Sequence, residues 1–500
     1  MRKSAYIISK IERLPSSLFF ILCSLIFILC PLFSHSQTYT LEQVIEYAQE
    51  NSPEAMRVKT SKENKYWQWK TYRSQYKPQL VLNATLPSYH NQNIPVRQED
   101  GSIVYQNVHQ SQTFTALSLE QNIGLTGGKL FLSSDVSRFD DFNNNYKSFS
   151  GSPFYLGIEQ PLFAFNNLKW MKRIEPLKYE ESLKEYIEGT EKVAYNTVVR
   201  YFDLLISQIS YQIAFMNKAN ADTIYKIGFE KYDMGKISKN ELLQLKYGVI
   251  SAQKAMAMAS LSIKTLQLGL SSYTGINETE NIMLTLPDSI FRFPIDDSMA
   301  MAKAVENSRL SVEFKKQILE ARCDAEKARR ESRLDANLNV SYGQTNIANY
   351  VQGIYDNPKP LQTLNVGLTV PILDWGRAKA TRKTAEANLK LVEYTVQQDV
   401  INFRQEVITQ LESYRMLQDF IEYSTEADQT ATERYEIARL RYMAGDISLT
   451  EYNIALEEKD KAKQDYIIAL RDYWLAYYSI RILTLYDFRN NEQLTVNSDQ

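Results

Sequence analysis

The 500-residue chain is poor in the residues that carry most enzyme chemistry. It has three Cys, of which Cys23 and Cys30 lie in an apolar N-terminal run. If that run is removed, Cys323 stands alone, so no intrachain disulfide can form. Of the three His, His35 lies just beyond the same run, leaving His90 and His109. No HExxH, nucleophile elbow, CxxC or dinucleotide glycine fingerprint occurs, so no catalytic residue, cofactor or metal is expected. Gly128-Lys129 is not a phosphate loop, because Leu130 stands where Ser or Thr is required and Ile123 where the first Gly belongs. A net charge of −2 gives no sign of the basic surface that nucleic acid would need, and no nucleic-acid partner is expected. Gly and Pro are sparse, at 17 and 14, which suits long uninterrupted helices. Beyond residue 36 no apolar run approaches 18 residues. A mature chain that crosses a membrane must therefore cross with strands.

The N-terminus reads as a secretory signal. Arg2, Lys3, Lys10 and Arg13 form a basic segment, and Leu18 to Phe33 an apolar one. Ser34 and Ser36 place small residues before a cut preceding Gln37. The apolar segment is short for a membrane span of about 20 residues. Leu29 before Cys30 and Pro31 after it argue against a lipid-anchored cysteine. Segment 1–36 is thus expected to be a signal peptide.

What the sequence has in abundance is itself. Glu50-Asn51-Ser52 recurs as Glu306-Asn307-Ser308, and Leu82-Asn83 as Leu338-Asn339, both at an offset of 256. Gly157 and Pro161 return as Gly367 and Pro371 at an offset of 210. At that offset Tyr225, Ile227, Tyr232, Gly235, Ile237, Ser238 and Glu241 return as Tyr435, Ile437, Tyr442, Gly445, Ile447, Ser448 and Glu451. The first copy therefore carries an insert of about 46 residues between Leu82 and Gly157. A long internal repeat marks one body with two similar halves, not an asymmetric catalytic pocket. Residues 37–286 form the first repeat, 287–488 the second, and 489–500 a polar tail.

Each half reads as helix, strand, strand, long helix, returning helix. Thr40-Leu41-Glu42-Gln43 has capping-box spacing, and Asn51-Ser52-Pro53 starts a second helix that stops before Pro78. Leu80, Leu82, Ala84 and Leu86 share one side of a strand near 80–86. Phe154, Leu156 and Ile158 do so near 154–161, Leu338, Val340 and Tyr342 near 337–342, and Leu364, Val366 and Leu368 near 364–371. The opposite sides are polar or small. Such alternation suits a barrel strand with lipid outside and water inside, and equally a half-solvated sheet of a soluble protein. In the insert, 113–123 and 129–139 flank Gly124-Leu125-Thr126-Gly127-Gly128, so 113–139 is expected to be an additional hairpin. Helices of about 67 residues, roughly 100 Å, follow from Leu168 and Arg377. In the second, Val396, Val400, Phe403, Val407, Leu411 and Tyr414 have coiled-coil-like spacing. Gly235 and Gly445 break these helices, and Ser238 and Ser448 cap the returning ones. The returning helices, about 37 residues, are shorter than their partners. Helices of about 25 residues leading into the strands would make up the difference if stacked end to end.

This plan resembles the TolC family of outer-membrane efflux channels. The resemblance rests on the duplicated strand-to-long-helix order, on the strand endings Glu159-Gln160-Pro161-Leu162 and Thr369-Val370-Pro371-Ile372-Leu373, and on two hairpin tips. The tips read Tyr232-Asp233-Met234-Gly235-Lys236-Ile237-Ser238 and Tyr442-Met443-Ala444-Gly445-Asp446-Ile447-Ser448. The resemblance implies a mainly α fold: an internally duplicated α-helical tunnel plus strands that form a shared, trimeric outer-membrane β-barrel. It implies a homotrimer in the outer membrane of a Gram-negative bacterium, in contact with lipid and with its helices in the periplasm. It implies docking by Gly235, Lys236, Ile237, Ser238, Gly445, Asp446, Ile447 and Ser448 to a periplasmic adaptor. The adaptor links to an inner-membrane pump of the RND, ABC or MFS type, and small molecules or peptides are exported. Glu241 and Glu451 fall where the family often has entrance carboxylates. Either they ring a constriction or they are exposed helix-start acids favoured by the helix dipole. Gln244 and Ile454 stand where some members carry a second acid. A coiled-coil structural or surface protein is the alternative, though it leaves the strands between helices unexplained.

Overall fold

The computed structural model describes residues 38–277, 282–287, 290 and 292–496. The expected signal segment and the last four residues of the tail lie outside them. In chain order the elements are β1 (Thr38–Tyr39), α1 (Leu41–Asn51), α2 (Pro53–Ser74), β2 (Gln79–Arg97), β3 (Ile103–Asn122), β4 (Lys129–Asp141) and β5 (Tyr146–Pro161). Then come α3 (Asn167–Asp233), α4 (Lys239–Thr274), β6 (Met283–Leu284), α5 (Asp297–Asn307), α6 (Arg309–Glu331), β7 (Asp335–Ala348) and β8 (Lys359–Thr369). The chain ends with α7 (Arg377–Ala444), α8 (Leu449–Thr484), β9 (Tyr486–Asp487) and β10 (Glu492–Gln493). Two compact units divide it, and both long helices run through both units.

One unit comprises the described residues up to Met56, Lys192–Arg292 and Tyr414–Tyr478. The capping box at Thr40 forms as its spacing predicts, and Leu41, Val44, Ile45 and Ala48 of α1 are buried. Strands β1 and β6 pair in parallel. The buried Tyr201 of α3 fastens them, its hydroxyl donating to the carbonyls of Tyr39 (3.2 Å) and Thr285 (2.5 Å). Gln208 acts as a further rung, donating to the Ile282 carbonyl and accepting from the Leu284 N–H.

The second unit comprises Arg57–Glu191, Phe293–Ser413 and the residues from Ser479 onward. It holds a six-stranded antiparallel sheet in the order β2-β3-β4-β5-β7-β8. Pro87 and Pro153 both sit where the register slips, between Thr85 and Ser88 and between Gly151 and Phe154. A proline has no N–H for the ladder, so a bulge is where it fits. β2 and β3 reach well past the apolar stretch, because polar residues such as Asn91, Gln92 and Asn93 continue the pairing. Side chains link the helices of this unit in the order α2, α3, α6, α7. Trp69 stacks on Tyr179. Arg309 and Lys316 reach Glu188 and Glu181 at 2.7 and 2.6 Å. Ser332 Oγ donates to the Ala378 carbonyl. Arg481 is held by Glu191 and Asp487, each at 2.7 Å and both buried.

Candidate functional site

Both helix hairpins turn on the same local chemistry. Gly235 and Gly445 have φ of 71° and 91°, a region that L side chains avoid. The N–H of the next residue reaches back to close the turn, Lys236 to the Lys231 carbonyl (2.8 Å) and Asp446 to the Arg441 carbonyl (2.9 Å). This is the Schellman ending of a helix. A Cβ added at either glycine would meet nothing within 4 Å. The requirement for glycine is therefore conformational, not steric. Ser238 and Ser448 then cap the returning helices, accepting from the N–H of Glu241 and Glu451, both at 3.2 Å.

The two hairpins share a core of Ile224, Leu245, Tyr435 and Tyr452. Ile237 and Ile447 pack against this core, as do Tyr225 and Tyr442. Of the residues expected to dock a partner, these two isoleucines face inward and hold the tips together. Gly235, Lys236, Ser238, Gly445, Asp446 and Ser448 are exposed. Gly228 lets α3 and α4 close in: a Cβ there would sit 2.2 Å from Leu245 Cδ1. Its counterpart Ala438 is buried. Sequence reading passed over this pair because glycine and alanine are not identical residues in the repeat.

The two carboxylates differ. Glu451 is exposed and caps its own helix, accepting from the Ser448 N–H at 2.9 Å. Glu241 is half-buried and lines a cleft of about 380 Å³ with Lys231, Lys236, Ile237 and Tyr442. Burial, and then the charge of Glu241, push the Tyr442 hydroxyl above its ordinary ionisation range.

The sheet is the second candidate surface. Its register aligns the apolar positions of neighbouring strands on one face. Leu80, Leu119, Leu132, Leu156 and Tyr342 form one row across β2, β3, β4, β5 and β7. Leu130, Ile158, Val340 and Leu364 form the next, across β4, β5, β7 and β8. Most of these side chains are exposed. The other face carries Ser118, Ser133, Asn339 and Asn365, with Lys129 between Glu120 (3.5 Å) and Glu159 (3.6 Å). Among the described residues no helix is long and apolar enough to cross a membrane.

The family model for outer membrane efflux proteins matches residues 122–276 and 305–484. The chain belongs to that family. As an outer membrane efflux protein it is a channel of the outer membrane, and the match runs through both hairpin tips and both long helices. It begins at the last residue of β3, so β2 and nearly all of β3 lie outside it. No curated protein sequence matches the chain. Solved structures share the fold. The Campylobacter jejuni CmeC outer membrane channel is 15% identical, with a TM-score of 0.65, covering 92% of this chain and 87% of that one. The Vibrio cholerae outer membrane protein VceC is 12% identical, with a TM-score of 0.61, covering 89% and 95%. The open Neisseria gonorrhoeae MtrE outer membrane channel is 14% identical, with a TM-score of 0.59, covering 89% and 88%.

Proposed function

We propose that three copies of this efflux protein form one channel. The tips meet a periplasmic adaptor, and an inner-membrane pump drives small molecules or peptides through the adaptor and out. The observation that carries the assembly is the sheet. It has six antiparallel strands, so its free edges β2 and β8 run in opposite directions. A neighbour's β2 can therefore continue the ladder from β8 without breaking the alternation, and closure removes both edges. The apolar rows then face lipid and the hydroxyl- and amide-bearing face lines water.

The helices support the same reading. Val396, Phe403, Val407, Leu411 and Tyr414 are buried within the chain. A second stripe on α7 is not: Tyr394, Ile401, Ile408, Met416, Tyr423 and Ile437 are exposed. So are Leu243, Tyr247, Ile250, Met258, Leu261 and Leu268 of α4. Both stripes have the spacing of a helix-packing seam. In the three-chain channel the neighbouring copy covers both stripes.

The test is purification from outer membranes followed by native mass spectrometry and planar-bilayer recording. Three chains that conduct support the reading, whereas a folded single chain that conducts ends it. Retention of segment 1–36 in the mature protein would count against an outer-membrane location.

A further inference from the structure

The insert in the first repeat is a length of wall. In the second repeat β7 and β8 pair directly. Their counterparts β2 and β5 do not pair, because β3 and β4 stand between them. The hairpin is in register with both neighbours, from Gln79 opposite Glu120 on one side to Lys129 opposite Glu159 on the other. It follows the two-faced pattern of the sheet. Leu117, Leu119, Leu130 and Leu132 fall on the apolar face, and Ser118 and Ser133, hydrogen-bonded at 2.6 Å, on the polar one.

Its turn is also built into the helices. Gln121 and Asn122 donate to the carbonyls of Tyr76 and Gln75 at the end of α2. Asn166, just before α3, donates to the carbonyls of Gly124 and Leu125. α2 leads into β2, β5 into α3, α6 into β7 and β8 into α7. The strand order thus follows the helix order, with the added hairpin anchored to both α2 and α3.

The widths explain what this achieves. Strands about 4.8 Å apart and tilted about 40° give six strands roughly 38 Å of circumference. Four helices packed about 8–10 Å apart occupy about 32–40 Å. Four strands alone would cover only about 25 Å. At that tilt six strands match the width of four helices.

We infer that the inserted hairpin makes the membrane wall eighteen-stranded in the three-chain assembly, holding the outer-membrane pore as wide as the helical layer that feeds it. This rests on the trimeric reading above. The passage it creates is polar and carries both charge signs, which fits bulky hydrophilic solutes rather than lipid-like ones. A wall of this strand number leaves an aqueous channel.

The experiment measures the width directly. In a Cys323→Ala background a spin label is placed at Gln362→Cys of β8, and distances between copies are read by pulsed dipolar spectroscopy. An eighteen-stranded wall places these sites about 31 Å apart, and a twelve-stranded wall about 21 Å. A second variant replaces residues 91–143 with an Asn-Gly turn, so that β2 and β5 can pair as β7 and β8 do. Its distance should shrink by about a third. A full-length distance near 21 Å, or equal distances in both proteins, overturns the inference. If the deletion does not assemble, the full-length distance decides alone. Native mass spectrometry separates the two readings, because an assembly other than three chains refutes the trimer. In that case thiol labelling decides the hairpin's place. Glu120→Cys, on the polar face of the hairpin and partly exposed, should react with a membrane-impermeant reagent in proteoliposomes and Leu132→Cys should not. Equal reactivity would remove the hairpin from the wall.

Discussion

The two repeats agree where the backbone needs a particular residue and differ almost everywhere that a surface is presented. Gly235 and Gly445 adopt the same left-handed turn, and Ser238 and Ser448 make the same cap. Yet the next exposed residue is Lys236 in one tip and Asp446 in the other. One carboxylate lines a cleft while its partner is spent on capping. One repeat supplies four strands to the sheet and the other two. Arg481 holds two buried carboxylates, whereas the equivalent position in the first repeat is the buried Ser271. Local geometry is thus the part of a duplicated plan that both copies must solve alike. Charge, wall length and buried ion pairs can be assigned to one copy only.

The largest test of this asymmetry is Arg481. Replacing it with Met leaves Glu191 and Asp487 buried without their cation, which costs about 3–5 kcal/mol. Ser271→Ala should change stability by less than about 1 kcal/mol, since its hydroxyl has no hydrogen-bond partner in the described structure. Thermal unfolding in detergent measures both, and equal losses would contradict the comparison. Next come the tips, where the repeats should behave alike. Gly235→Val and Gly445→Val each force a β-branched residue into a left-handed conformation, costing about 1–2 kcal/mol. If the tips dock the adaptor as proposed, the two together should lower efflux at least ten-fold, by that same strain applied to both hairpin turns. Outer-membrane insertion, followed by fractionation, should persist because the substitutions touch no strand. If one single variant abolishes efflux and the other is silent, the tips are not equivalent.

Much of this fold was legible in the sequence because its signals are local. Period-two alternation marked Leu80 to Leu86 and Leu364 to Leu368, and capping residues marked the helix starts. Glycine at a fixed offset marked both hairpins. The pairing of β3 with β2 and β4 was not legible, because no local pattern says whether an inserted hairpin joins a sheet or covers it. Nor were the long extensions of β2 and β3, where Asn91, Gln92 and Asn93 supply no alternation. Of the site, the turn residues were readable and their environments were not. Whether Ile237 faces a partner or Leu245, and whether Glu241 faces water or a cleft, depends on which helix lies beside it.

Smaller effects follow from the helix contact beneath the tips. Gly228→Ala forces Leu245 to move and should cost about 1–2 kcal/mol. Ala438→Gly should cost about 0.5–1 kcal/mol through helix propensity alone. Hydrogen exchange across the hairpins measures each one locally. Equal responses to the reciprocal changes would mean that the two helix crossings are packed alike.

The smallest expected change in stability, and the one most specific to function, separates the two glutamates. Glu451→Ala removes a capping carboxylate and should cost about 0.5–1 kcal/mol, because the Ser448 N–H loses its acceptor. Glu241→Gln should alter stability by less than about 0.5 kcal/mol. Its effect is electrostatic: the carboxylate lines the cleft and bears on Tyr442. If three such cleft carboxylates surround the entrance, Glu241→Gln lowers cation preference in planar bilayers, and Glu451→Gln adds little. The tyrosine supplies an internal check. Its ionisation is raised in the folded protein, first by burial and then by Glu241. The stability this represents is therefore present below the ordinary tyrosine value of about 10 and is lost as pH rises through the raised one. Glu241→Gln should bring the alkaline transition of Tyr442 back toward its ordinary value, seen by ultraviolet titration against a Tyr442→Phe control. A transition that moves while selectivity stays fixed would leave Glu241 as a neighbour of Tyr442 and remove it from the entrance. Movement of both would assign the entrance charge to the first repeat alone.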